Sequence, residues 1–140
     1  MESFIIQDAT QEDVQQFEAG MNAYNNTHVQ FDQTPEFIMY NRTIKHDGKV
    51  AAGMVAEIYF WNVLTVSILW VDEAHRGKGY GAALLADAES EARKRGGTLA
   101  HLNTFDFQAR EFYEKQGYAV FGVLEGYPEG RCRYYMSKKL

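Results

Sequence analysis

A strand, a glycine-studded turn and a helix, in that order, dominate what this chain can fold into. The strand is the apolar run Leu64-Thr65-Val66-Ser67-Ile68-Leu69-Trp70-Val71. After the link Asp72-Glu73-Ala74-His75, the turn reads Arg76-Gly77-Lys78-Gly79-Tyr80-Gly81 and opens a helix from Ala82. Leu84, Leu85, Ala88 and Ala92 fall on one face of that helix, as a core-facing stripe requires. Glycines at alternate positions let the backbone turn tightly and present N–H groups with no Cβ in the way. A helix that starts there leaves its first amides unpaired and its positive dipole end outward, an anion site suited to phosphate. Arg76 and Lys78 add two cations, so the stretch from Arg76 to Ala82 reads as a pyrophosphate cradle.

The flanking sequence sets the fold around it. Arg93-Lys94-Arg95 suits the negative end of the helix, Gly96-Gly97 stops it, and Thr98 to Thr104 is the next strand. Strand, helix and strand in that order imply a parallel pair with a right-handed crossover. Upstream, Phe37 to His46, the turn Asp47-Gly48, Lys49 to Phe60 and the reversal Trp61-Asn62 make an antiparallel meander. Residues 3–8 read as a strand, and Thr10-Gln11-Glu12-Asp13 as a capping box for a helix running to about Asn22. Asn25-Asn26-Thr27-His28 is turn-like, and Phe31 to Pro35 is a connection. Downstream come a helix over Gln108 to Gln116, closed by Gly117, and two strands, Ala119 to Leu124 and Arg131 to Lys138. The order is β-α-β-β-β-α-β-α-β-β in one domain, residues 1–140.

Bulk properties narrow the partners. A net charge of −5 argues against a general nucleic-acid binder, which needs a basic face. The single cysteine, Cys132, excludes an internal disulfide framework and a cysteine-rich zinc site, and fits a small hydrophobe in a strand. His28, His46, His75 and His101 are too scattered for a metal site by spacing, so no metal is expected. No apolar run reaches about 18 residues and Met1-Glu2-Ser3-Phe4 lacks a basic leader, so the expectation is a cytoplasmic protein without membrane contact. Strand edges near the C-terminus leave room for a homodimer.

Several phosphate-binding patterns compete for the glycine turn. Gly77 to Ala82 satisfies the dinucleotide fingerprint G-x-G-x-x-A, which would make a small nicotinamide-dependent oxidoreductase. That fingerprint directly follows a strand, whereas five residues separate Gly77 from Val71 here, and hairpins rather than βαβ units come before it. A Walker loop is excluded, because no Ser or Thr follows Lys78-Gly79 as it requires.

The motif Gln/Arg-x-x-Gly-x-Gly/Ala, met by Arg76, Gly77, Lys78, Gly79, Tyr80 and Gly81, resembles the cofactor motif of the GNAT superfamily of acyl-CoA-dependent N-acyltransferases. Asn103 at the end of the following strand and the segment Ala109 to Tyr118 are also similar to that family, and the match is specific from about Lys49 onward. The resemblance implies an α/β (α+β) fold: a mixed, mostly antiparallel sheet of about six or seven strands with a splayed parallel pair, flanked by about three or four helices. It implies that the strands ending at Val71 and near Asn103 part, and that pantetheine enters between them along Leu69, Trp70 and Val71. A bulge near Leu69 or Trp70 would aim one amide at the thioester oxygen.

The same resemblance implies acetyl-CoA as co-substrate and a primary amine as acceptor, either a small molecule or a Lys or N-terminal amine. Tyr113 would be the general acid that protonates the CoA thiolate. Phe112 would border the cofactor or pack in the core, and Asn103 would bond the pantetheine amides or cap the next helix. The strand Leu64 to Val71 carries no carboxylate, so Glu57 on the preceding strand is the candidate base through water; Asp72, Glu73, His101 and Asp106 are others. That missing carboxylate keeps a second class open, a non-catalytic CoA-binding sensor or interaction module. Asn25 to Phe31, Tyr59 to Trp61 and Glu125 to Gly130 are the candidate acceptor pocket, since aromatic faces suit an amine cation.

Overall fold

Residues with positive φ decide where the sheet reverses. Asp47 and Gly48 (φ 49° and 76°) join β2 (Arg42–His46) to β3 (Lys49–Tyr59), and Trp61 and Asn62 (φ 59° and 58°) precede β4 (Val63–Val71). Two successive positive-φ residues match the right-handed twist of a hairpin. The structure is a computed structural model that describes residues 3–30, 35 and 37–140, in two compact units, residues 1–32 and 33–140.

In the first unit the capping box closes on helix α1 (Gln11–Asn26): Thr10 Oγ1 accepts from the Asp13 amide at 3.1 Å and the Asp13 carboxylate accepts from the Thr10 amide at 2.8 Å. Hydrogen bonding to the carboxylate, from the Thr10 amide first and then from the Thr10 side chain, holds the Asp13 carboxyl below its ordinary pKa. Residues 3–8, expected as a strand, form none, for a strand exists only by pairing. The helix also runs through Asn25 and Asn26 before turning at Thr27, whose hydroxyl bonds back to the Tyr24 carbonyl at 2.6 Å. Of the connection from Phe31 to Pro35, all but Pro35 lies outside the described residues.

The second unit is a seven-stranded sheet among the described residues, ordered β1-β3-β4-β5-β7-β6 with β2 also on β3. The remaining strands are β1 (Phe37–Met39), β5 (Leu99–Phe105), β6 (Ala119–Glu125) and β7 (Cys132–Lys139). The strand expected over Phe37 to His46 is interrupted at residues 40–41, yet β1 and β2 share one register on β3 as far as Ile44, with Met39 opposite Glu57 and Arg42 opposite Met54, before β2 slips by one residue at Lys45. Among the described residues only β4 and β5 run parallel, bridged by α2 (Tyr80–Lys94). Helix α3 (Arg110–Lys115) links β5 to β6.

The core lies between α2 and one face of the sheet. Leu84, Leu85, Ala88 and Ala92 on α2 are buried with Ala52, Met54, Ala56 and Ile58 of β3, Leu64 and Val66 of β4, and Ala100 and Leu102 of β5. A buried charge tightens it: Glu89 on α2 receives Lys138 Nζ at 2.8 Å and the Tyr118 hydroxyl at 3.1 Å, joining helix and sheet. At the α2 C-terminus Gly97 is forced, since a Cβ there would stand 2.4 Å from the Asn62 carbonyl oxygen. No helix among the described residues is long and apolar enough to cross a membrane.

Candidate active site

Strands β4 and β5 are paired at one end only. Leu64, Thr65 and Val66 face Ala100, His101 and Leu102 in parallel register, and the ladder stops there. On its other side β4 slips against β3: Ala56 opposes Val66 but Val55 opposes Ile68, leaving Ser67 as the extra residue of a bulge. The bulge therefore sits at Ser67, not near Leu69 or Trp70 as the sequence suggested. Past it Leu69 and Val71 pack against the core while Ile68 and Trp70 are exposed. The parted strands enclose a cleft of about 640 Å³ lined by Ser67, Leu69, Trp70, Val71, Asn103 and Tyr113 among others.

The glycine turn borders a second, more apolar cleft of about 350 Å³. Gly77 and Gly79 have φ of 77° and 82°, and Gly79 is the N-cap of α2 with no side chain bonded to the first-turn amides. A Cβ on either would meet no atom within 4 Å, so both present bare backbone to open space. Gly81 does something else: a Cβ there would come 3.3 Å from the Phe112 ring, so this glycine serves helix packing. Tyr80, Ala82, Phe112 and Tyr113 also line it, with His75, Arg76, Leu69 and Val71 among others. Arg76 donates from Nε to the Val71 carbonyl at 3.2 Å and so ties the turn to the end of β4. Lys78 lines neither cleft; its Nζ lies 3.2 Å from His75 Nδ1. Leu69, Val71, Arg76 and Tyr113 belong to both clefts, which therefore meet. The outcome is one path from bare amides at a helix start to a gap between strands.

Residues 4–118 match the model of the Acetyltransferase (GNAT) family. The chain belongs to this family. It is 38% identical over 94 residues to the blasticidin-S acetyltransferase of Streptomyces morookaense, covering 66% of this chain and 68% of that protein. An acetyltransferase from Bacillus cereus shares the fold with a TM-score of 0.84 and 32% identity, over 98% of each chain. A streptothricin acetyltransferase from Bacillus anthracis, crystallised with acetyl coenzyme A, shares the fold alone: TM-score 0.65, 20% identity, 73% of this chain and 63% of that one. This GNAT protein is therefore an acyltransferase, and its mixed sheet with one parallel pair is the fold its sequence implied.

Of the two catalytic candidates in this acetyltransferase, Tyr113 lines both clefts and Glu57 neither, and Tyr113 is only 7% exposed. Burial pushes its phenol above the ordinary tyrosine pKa, so it holds its proton at any physiological pH. Asn103 does not cap α3. Its side-chain oxygen accepts from the Arg133 guanidinium, with Nε at 2.7 Å, and the Ala109 amide instead bonds Thr104 Oγ1. Asp106 is likewise committed, to Arg131 at 3.6 Å and to the Cys132 amide. Glu57 is half-buried beside Thr65 in the sheet register, and Thr65 is beside His101, its Oγ1 2.9 Å from His101 Nε2. The three form a polar row across β3, β4 and β5, two residues before the bulge. No spacing rule finds that row, because it exists only across strands.

The aromatic acceptor candidates divide. Tyr59 to Trp61 sit where β4 begins, and eight residues of strand, about 26 Å, separate Val63 from Val71. They line neither of the two clefts. The loop from Glu125 to Gly130 is on the correct side: the Tyr127 ring lies 5.3 Å from Phe105, the last residue of β5, and Phe105 stacks on Phe107, which lines the strand gap. Asn25 to Gln30 belong to the first unit, and Phe31 lies outside the described residues. Among the described residues no group of three or more His, Cys, Asp or Glu side chains is placed to hold a metal ion.

Proposed function

We propose that this protein moves an acetyl group from acetyl-CoA directly onto a primary amine of a small molecule, in the cytoplasm, through one acyltransferase domain spanning residues 1–140. The meeting of the two clefts at Tyr113 carries the reading, because it puts an anion-accepting turn and a proton donor on one continuous path. The bare backbone at Gly77 and Gly79 fits a diphosphate that a Cβ would obstruct. The family match running from residue 4 to 118, across both units, supports the single domain.

Acetyl-CoA would supply the activated acyl carbon as a thioester. Gly77 to Ala82 hold the diphosphate by main-chain amides, and β4 from Ser67 to Val71 offers its unpaired edge to the pantetheine amides. The bulge at Ser67 breaks the regular ladder where an amide can serve the carbonyl oxygen as negative charge gathers on it. A bond forms between amine nitrogen and acyl carbon and the carbon–sulfur bond breaks. Tyr113 gives its proton to the departing sulfur. The amine proton leaves through water to Glu57, with His101 next in the same row.

The relative that acts on blasticidin S supports a small-molecule acceptor and names the first amine to try. Thiol release from acetyl-CoA is the assay, run across an amine library that includes blasticidin S. Turnover that falls in Tyr113→Phe supports the reading. Silence across the library, in a protein that still binds acetyl-CoA, would make it a binding module instead.

A further inference from the structure

We propose that His46, His75 and Lys78 form a seat for a phosphate monoester beside the glycine turn, filled by the ribose 3′-phosphate of coenzyme A. The inference rests on the acyl-CoA reading above. The three side chains come from two stretches of backbone: His46 ends β2, while His75 closes a 3₁₀ turn (Glu73–His75) and Lys78, three residues on, stands between two positive-φ glycines. They nevertheless converge. The His46 and His75 rings are 5.1 Å apart, His75 stacks on Tyr80 at 6.1 Å, and Lys78 Nζ reaches His75 Nδ1 at 3.2 Å. An ammonium only donates, so Nδ1 is the acceptor and the His75 proton sits on Nε2.

A diphosphate at a helix start is satisfied by main-chain amides and needs none of these side chains. They are therefore a surplus donor set at the rim of the cleft that His75 lines with Gly77 and Gly79. Coenzyme A has one more phosphate to place, a monoester with close to two negative charges at neutral pH and three acceptor oxygens. Several donors around one point match that shape, with Lys78 donating a further N–H and His75 donating from Nε2. The carboxylate in contact is Asp47, 3.4 Å from His46 Nε2; its side chain is 90% exposed, so solvent screens it.

Calorimetric titration with coenzyme A and with dephospho-coenzyme A, which lacks only that phosphate, decides the matter. The wild-type protein should prefer coenzyme A by about tenfold or more, as expected of two or three charge-assisted bonds. In the double variant His46→Gln with His75→Gln the preference should shrink to about twofold, with dephospho-coenzyme A bound as before, which also shows that the variant is folded. Lys78→Met should narrow the ratio in the same sense, and Asp47→Asn, which the turn tolerates, should widen it. Equal wild-type affinity for the two ligands overturns the seat. So does an equal loss for both in either variant, which would assign these side chains to the diphosphate. If the wild-type protein binds neither ligand, the acyl-CoA reading falls with it.

Discussion

The same two strands meet opposite fates at their two ends. From Leu64 to Val66 and Ala100 to Leu102, β4 and β5 are laddered, and Leu64, Val66, Ala100 and Leu102 are buried under α2. From Ser67 and Asn103 onward they part, and Ser67, Ile68, Trp70 and Asn103 are exposed. The change falls at one residue: Ser67, the extra residue where β4 shifts against β3, is also the first beyond the ladder to β5. The closed end supplies cohesion to hold the open end apart, so stability and ligand binding should separate along a single strand.

Mutations can test that division, beginning at the closed end. Leu102→Ala removes a fully buried side chain between β4 and β7 and should cost about 3 kcal/mol in urea unfolding. A loss under about 1 kcal/mol would mean the closed end is not the anchor. At the open path, Gly79→Asp puts a carboxylate and a Cβ into a φ of 82°, where an anion is to sit. Acetyl-CoA affinity should fall about a hundredfold by calorimetry, ~2.7 kcal/mol, against a stability cost of about 1 kcal/mol.

Tyr113→Phe should lower kcat about tenfold, less than full acid catalysis, because a thiolate departs with modest help. The pH profile sharpens this. Burial raises the pKa of Tyr113 above 10.0, so its proton should remain available through pH 9. Tyr118 is raised too, by burial first and then by Glu89. Unfolded phenols lose protons near pH 10 while the buried ones keep theirs, so folding stability should decline as pH rises past about 10. The smallest effect belongs to Asn103→Ala, one residue beyond Leu102: a stability change within about 0.5 kcal/mol in urea, with weaker acetyl-CoA binding as its signature.

Most of this architecture was legible in the sequence because its signals are local. Asp47-Gly48 and Trp61-Asn62 turn where expected, the α2 stripe is buried, and the glycine turn opens α2 as read. The bulge escaped because Ile68, Leu69, Trp70 and Val71 are all apolar. Strict alternation and a one-residue slip both put hydrophobic side chains on the core face, so the pattern does not choose between them. Glu89 was hidden among the exposed charges of α2 because its partners, Lys138 and Tyr118, lie 49 and 29 residues away in the chain.

The bond from Arg76 to the Val71 carbonyl has a consequence for ligand length. It pins the glycine turn to the strand that borders the gap, so on the proposed reading the span from diphosphate to thioester is a fixed gauge. An acyl thioester on a truncated carrier would come up short of Ser67 and one on a lengthened carrier would overshoot it, however well either filled the turn. The protein would thus select its donor with a ruler as much as with a grip.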